Sequence, residues 1–503
     1  MPSGLDPRTP VLVGSAAITQ RAGDPTTADD AVTLMAHALR ASADDAGGPD
    51  PQRLISRAEL IMAPQASWKC ADPGRMVADQ LGITPRTLCA ELGVLQQALF
   101  TRACTAIAGG RASVVLVCGG EARSRAATAA KSGISVAAEP ESNGPADVVL
   151  SPNQQVISKL EIERKLYVPA RQYAIMDTAL RGAAGQSISD HAKEVAGLWD
   201  AFADVARTRP EAWKRDAVPL GDGQAGPANP WYAWPYTKQH CSYWTVDQAG
   251  GFILCSVEAA VAAHVPRDHW IFPVAAAESN AMIMLSERAE PHRSPAIAAA
   301  GRALRDLAGI APAESDHFDI YSCFPAAVRV QAAELGLPAD RPWTVTGGMS
   351  FGGGPLNNYV LQSTARMAQV LREDPGSTGL VTSISGMITK QGMGLWSTTP
   401  PAGGFRAADV TGQAHAETAT AIVDGDYHGP ASVVGYTVGY DGPNPMVGII
   451  IGRATVSSSG ADSSPDTPVH TVATTADPQL MDALMAEEWV GRQVEIDGPT
   501  FSG

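Results

Sequence analysis

Seven cysteines, one glycine-rich run and one basic stretch are the parts of this sequence whose residue types could do chemistry. The cysteines are Cys70, Cys89, Cys104, Cys118, Cys241, Cys255 and Cys323. A thiol held partly as thiolate is a nucleophile and a soft-metal ligand. The number is odd, the spacings are irregular and no C-x-x-C occurs, which fits free thiols in a reducing compartment and neither a disulfide framework nor a metal site. Gly352-Gly353-Gly354 could bring backbone N–H groups against a ligand. Asn357 and Asn358 follow at a helix start, where N-capping is the first reading and ligand contact the second. Lys159, Arg164, Lys165 and Arg171 could meet an anionic cofactor, although Glu161 and Glu163 between them suit a solvated helix face. Trp231, Trp234 and Trp244 read as packing for an inserted region, with a ligand-binding wall as the alternative. His264 and His269 flank a proline-containing loop and read as surface residues.

The elements that must position these residues are those of a sheet covered on its faces. Val11-Leu12-Val13-Gly14 and Leu60-Ile61-Met62 read as short buried strands. Asp29 and Asp30 open a helix whose apolar face is Ala31, Leu34, Met35, Ala38 and Leu39. A helix from about 95 to 107 ends at Gly109-Gly110 and leads into a central strand, Val114 to Cys118. The polar, proline-broken stretch from about 121 to 245 reads as an insertion or loop domain. The second half repeats the theme. Strands are expected at 272–276, 318–320 and 379–384, with a helix capped by Ser294 and stopped by Gly309, another ending near Gly336, and a third from about Asn357 to Arg372. After Pro401 short strands dominate. A hairpin is expected from 432–440 and 446–456 around Asp441-Gly442-Pro443-Asn444, then a Ser-rich linker over 457–466, a helix over 477–488 and a strand over 492–496.

A chain of 503 residues exceeds one ordinary core, so two or three packed units are expected. The 45% hydrophobic and 18% charged residues describe a folded, soluble chain. A net charge of −15 argues against nucleic acid as a partner, but leaves room for an anionic cofactor on a local basic patch. No apolar run is long enough to span a membrane and the N-terminus has no signal-like region, so a cytoplasmic location is expected.

Three segments carry a more specific likeness: residues 347–359 (GGMSFGGGPLNNY), 319–325 (DIYSCFP) and 235–238 (PYTK). Together with the duplicated βα architecture and the inserted loop domain, they resemble the thiolase superfamily over about residues 8–400, and within it the type-1 thiolase-like proteins. The resemblance implies an α/β, five-layered αβαβα fold of two duplicated halves, with a first half over 1–266, its loop domain at about 121–245, a second half over 267–401 and an additional β-rich, OB-like domain over 402–503. It also implies CoA or an acyl-CoA as ligand.

Thiolases use a cysteine at a helix N-terminus as acyl acceptor, a histidine on a Gly-rich loop, an Asn or His that holds an oxyanion-hole water, and a cysteine in a C-x-G loop that moves a proton. Counting back from Ile107-Ala108-Gly109 puts the nucleophile position at Gly93. Gly347-Gly348 and Pro355 set the histidine position at Gly354, and Phe324 sets the Asn/His position at Tyr321. The C-x-G loop reads Ile384-Ser385-Gly386, which puts its cysteine position at Ile384, with a shift of one or two residues also compatible. The resemblance therefore implies that all four polar functions are gone or changed. Cys323, in the loop that faces the thiolase cavity, and Cys89, four residues before Gly93, are the candidate replacement thiols, though each reads first as packing, Cys323 in the cavity wall and Cys89 at a strand end. Tyr321 could donate a hydrogen bond to a thioester carbonyl, and Ser242-Tyr243-Trp244 stand where the group has small residues and asparagines.

Two functions are compatible with these residues. One is a binding protein for CoA, an acyl-CoA or a lipid, monomeric or homodimeric, with residues 402–503 free to recruit a protein partner. The other is an acyltransferase of the acetyl-CoA acetyltransferase type with an altered nucleophile or a site completed by a partner chain.

Overall fold

A computed structural model describes residues 4–152, 154–221, 225–455 and 467–503. The linker expected over 457–466 lies outside the described residues.

The first half forms a six-stranded sheet in the spatial order Pro10–Thr19, Asp247–Ser256, Val114–Ala122, Leu60–Pro64, Arg86–Ala90, Val148–Leu150. Val114–Ala122 is buried along its whole length because both faces of the sheet are covered. The second half forms a five-stranded sheet in the order His317–Asp319, Thr378–Ser385, Lys390–Ser397, Phe272–Ser279, Arg406–Asp409. Two helices lie between the sheets. Gln97–Ala108 places Phe100 edge-on to Phe252 of the first sheet (5.0 Å) and to Trp396 of the second (5.8 Å). Tyr359–Glu373 packs on strands of both sheets. Ala31–Asp45 and Pro295–Ala308 cover the outer faces, which completes an αβαβα stack.

Two adjacent glycines let the layers close. A Cβ on Gly250 would meet Leu361 of the central helix, and one on Gly251 would meet the Ala38 backbone of the outer helix. Successive residues of a strand face opposite ways, so the pair brings a helix close on each side.

Several elements differ from the sequence expectation in instructive ways. Asp30, expected near the start of the helix Ala31–Asp45, is its N-cap and accepts from Thr33 N. Ser294 stands at the N-cap of Pro295–Ala308 but makes no cap bond, because its hydroxyl donates to Ile388 O from the second sheet's turn (3.0 Å). The stretch 121–245 carries long helices, Arg123–Ser132, Pro169–Ala183 and Ile188–Arg207. Arg406–Asp409, beyond the boundary placed at 402, pairs in parallel with Phe272–Ser279 and so extends the second sheet.

The last strands close on themselves. His428–Asp441 pairs with Asn444–Ala454, then Val469–Thr475, then Thr500–Ser502, then Gln493–Asp497, which returns to His428–Asp441. In chain order these are five strands, and the helix Pro478–Ala486 connects the third, Val469–Thr475, to the fourth, Gln493–Asp497. Ile450, Leu484, Val494, Ile496 and Phe501 pack in the interior. Trp231–Trp234 of the insertion adds to the outside of this unit through Val438 and Gly439. Arg164 and Arg181 fasten it to the core: Arg164 donates to Val472 O and Gly425 O, and Arg181, fully buried, bonds Glu488 (2.7 Å) and the Tyr436 hydroxyl (2.6 Å).

Candidate functional site

The N-termini of the two central helices meet. Gln96 precedes Gln97–Ala108, and its side-chain oxygen accepts from Val360 N (2.8 Å) at the start of the other central helix. That bond fills a capping role the asparagines were expected to take. Asn358 stands at the N-cap but makes no cap bond, and both polar atoms of its buried side chain lack a hydrogen-bond partner among the described residues. Asn357 donates to Gln65 O (2.9 Å) and accepts from Gln96 (3.4 Å). Helix starts leave N–H groups unpaired, and here one helix supplies the other's acceptor from a distant residue.

Gly93 lies four residues before the helix with φ +102°, and a Cβ there would press on Pro152 at 3.2 Å. Its carbonyl accepts from the Ser385 hydroxyl (3.1 Å) and from the Lys390 ammonium (3.4 Å). The side chain of the 384–386 loop that reaches Gly93 is therefore Ser385, while Ile384 packs in the hydrophobic core. The following turn is strained: Gly386, Met387 and Ile388 all have positive φ, which is costly for a β-branched residue. Arg288, buried, holds it through Met387 O (2.7 Å), and Ser294 holds it through Ile388 O.

The Gly-rich run is closely packed. A Cβ on Gly354 would collide with the Ser242 hydroxyl, and one on Gly353 with the Gln248 side chain. The segment Cys241-Ser242-Tyr243 is a strap across this site. Ser242 N donates to Cys323 O, Tyr243 N to Met349 O, Gly354 N to Tyr243 O, and the Ser350 hydroxyl to Cys241 O, all within 3.0 Å. Trp213 N also donates to Gly352 O (3.0 Å) and Lys214 N to Phe351 O (2.8 Å).

The 319–325 segment is anchored by Asp319. Its fully buried carboxylate accepts from Thr344, Val345, Thr346, Tyr359 and Ser363, which locks the loop to the second central helix. Tyr321 is 8% exposed and edge-on to Tyr359. Cys323 is beside Tyr173, whose hydroxyl bonds the sulfur, yet burial pushes the thiol up to about 12. Burial, with Asp72 nearby, pushes Cys89 to about 12 as well. Both thiols therefore stay protonated near neutral pH, which is poor preparation for nucleophilic attack.

Sequence reasoning missed two perturbed groups, Asp177 and Lys214. Asp177 is fully buried among Arg329, Tyr236 (2.8 Å) and His191 (3.2 Å). Burial alone would raise its pKa, but the charges of Arg329 and His191 hold it well below the usual range. Lys214 is lowered to about 8 by burial and by Lys238. These residues come from separate elements, and no spacing in the sequence links them. The basic stretch resolves into separate jobs: the Lys159 side chain is 91% exposed and pairs with Glu163, whereas Arg164 and Arg171 bond backbone carbonyls. Of the tryptophans, Trp234 is buried against Tyr436, while Trp244 is exposed and stacks on Arg123 (3.7 Å). His269 is not free at the surface, since its Nδ1 lies 2.6 Å from Asp45 O. A cleft of about 860 Å³ opens between the insertion and the hairpin tip, walled by Trp231, Tyr232, Lys238, Tyr440 and Pro443.

Two sheets enclosing two helices whose N-termini meet at Gly-rich and polar loops define the class, and the chain has the fold of the thiolase superfamily. The likeness to a crystal structure of a monomeric SCP2-thiolase like protein type 1 from Mycobacterium smegmatis spans 99% of both chains, at a TM-score of 0.79 and 25% identity. Human mitochondrial 3-ketoacyl-CoA thiolase in complex with CoA covers 78% of this chain and 98% of its own, at TM-score 0.52 and 16% identity. Acetyl-CoA acetyltransferase from Syntrophomonas wolfei covers 78% and 99%, at 0.53 and 14%. The last two likenesses show the fold alone. The part they leave uncovered is about a fifth of this chain, comparable to the C-terminal unit. No family model and no curated protein matches the sequence. Among the described residues no helix is long and apolar enough to cross a membrane.

Proposed function

We propose that this protein binds an acyl-CoA or a related lipid on a thiolase scaffold and does not perform cysteine-based thiolase chemistry. The observation that carries the reading is the pair of glycines at the positions matched to nucleophile and base. Gly93 and Gly354 offer no side chain, and the space a side chain would need is taken by Pro152 and the Ser242 hydroxyl. The thiols nearest the site, Cys323 and Cys89, are held protonated by burial, so neither replaces the missing nucleophile.

Support for the ligand comes from the fold and from the cleft. A thiolase with the same fold has been solved with CoA. The cleft beside Lys238 offers aromatic walls for an apolar chain or a base, and an ammonium for an anionic group. The closed five-strand ring, with its helix between the third and fourth strands, is consistent with an OB-like C-terminal domain. One wall of the cleft is the turn between that ring's first two strands, Tyr440 to Pro443, so ligand and C-terminal unit would meet there. That unit is also the surface we assign to a protein partner, in a monomer or homodimer.

The test is calorimetric titration with CoA and acyl-CoAs, paired with intact mass after incubation. Saturable binding without acyl transfer to any cysteine supports the reading. A stoichiometric thioester on one cysteine overturns it in favour of an acyltransferase with a displaced nucleophile.

A further inference from the structure

We infer that Lys214 is an acyl-acceptor site, an amine that takes the acyl group of a thioester brought to the Gly-rich loop. Its backbone N–H bonds Phe351 O, and the neighbouring Trp213 N–H bonds Gly352 O, so the residue is fixed to the loop that carries Gly353 and Gly354. Its ammonium sits 3.7 Å from the centre of the Tyr243 ring, on the strap that bonds to the same loop. The side chain is thus held in one place and only partly exposed. A flexible surface lysine has neither property.

The charged groups around it favour the free amine. Burial acts first, Lys238 adds a like charge, and Cys241 and Asp216 oppose them less strongly; the net shift brings Lys214 down to about 8. The Tyr243 ring favours the cation but also holds the nitrogen in position. At neutral pH a usable fraction is therefore unprotonated, in contrast to an ordinary lysine. Lys238 in turn lines the aromatic cleft, which links the amine's reactivity to the occupant of that cleft.

The step balances without a further reagent. The Lys214 nitrogen attacks the thioester carbonyl, a C–N bond forms as the C–S bond breaks, and the nitrogen's proton ends on the departing thiolate. The products are an amide on Lys214 and a free thiol. The inference rests on the acyl-CoA reading for its natural donor.

The full-length chain has eight lysines, which makes mapping practical. Trace acetylation with acetic anhydride between pH 6 and 10 should show Lys214 reacting with a midpoint near pH 8. At pH 7.5 it should react about tenfold or more faster than exposed Lys159. Lys238→Met should slow it several-fold by lifting the like charge, an effect that a packing role for Lys214 would not produce. Incubation with acetyl-CoA and a long-chain acyl-CoA should leave a hydroxylamine-stable mark on Lys214 that Lys214→Arg lacks. Labelling no faster than at Lys159, or acyl-CoA marks elsewhere with Lys214 clean, overturns the inference. Marking at Lys214 without calorimetric CoA binding sinks the ligand reading alone. CoA binding with no mark at Lys214 sinks the acyl-acceptor site alone.

Discussion

The Ser242 hydroxyl occupies the volume that a β-carbon on Gly354 would need. The backbone at Gly354 is not in the left-handed region, so space and not φ forbids a side chain there. Gly354→Ala should therefore cost about 1–3 kcal/mol through overpacking. Ser242→Gly should recover most of that loss in the double variant. Denaturant unfolding of the four proteins of the cycle reads the coupling, and a Gly354→Ala variant as stable as the parent would contradict the geometry.

The protonated state of the buried thiols makes a second expectation. Burial holds Cys323 and Cys89 near 12, so their thiolate fractions at pH 8 fall roughly a thousandfold or more below that of a free cysteine. Alkylation of the native protein followed by peptide mapping should leave both unmodified while the unfolded chain reacts at all seven cysteines. Rapid native labelling at Cys323 would revive it as a nucleophile.

Asp177 is the carboxylate with most to lose. Arg329, His191 and the Tyr236 hydroxyl surround it with no solvent contact. Arg329→Met would leave a buried carboxyl without its principal cation, and such truncations cost about 3–5 kcal/mol. With Arg329 present the folded-state pKa is depressed, so this contribution is present above the unfolded value and is lost as pH falls through the folded one. The Arg329→Met chain should lose stability at pH 7 relative to the parent, and a loss under 1 kcal/mol in urea unfolding would show the network to be incidental.

His470 gives a pH dependence of opposite chemical origin. It is fully buried, with Nδ1 3.3 Å from Ser286 O and Nε2 receiving the Arg453 Nε–H at 3.4 Å. Burial and then the Arg453 charge lower its pKa to about 4. The unfolded chain takes up this proton near pH 6.5 and the folded chain only near 4. Stability from the neutral ring is therefore complete above 6.5 and falls as pH drops from 6.5 towards 4, by up to about 3 kcal/mol. His470→Gln should flatten the slope of unfolding midpoint against pH in that window. An unchanged slope would mean the ring is solvated and titrates normally.

How far the sequence revealed this site depends on whether the deciding contact is local. The helix expected over 95–107 was legible because its apolar spacing and the Gly109-Gly110 stop act within one segment. The Ser294 and Asn358 caps were not, because their hydrogen-bond partners, or the lack of them, are set by residues far away in the chain. Arg406–Asp409 was assigned to the wrong side of a boundary since a four-residue exposed strand has no pattern of its own; only Phe272–Ser279 beside it makes it a strand. The unusual Ser242-Tyr243 pair was visible as a departure from the family's pattern. Its use as a strap over the Gly-rich loop, and the perturbation of Lys214 beneath it, needed the three-dimensional arrangement.

On the proposed function, a thiolase scaffold is used here for an acyl-CoA ligand without a cysteine acyl-enzyme. The most direct measurement is intact-protein mass after incubation with saturating acyl-CoA, before and after hydroxylamine, which cleaves thioesters and spares amides. No hydroxylamine-labile adduct is expected on any of the seven cysteines under conditions where calorimetry shows the ligand bound. A stoichiometric labile adduct mapping to Cys323 or Cys89 would contradict it.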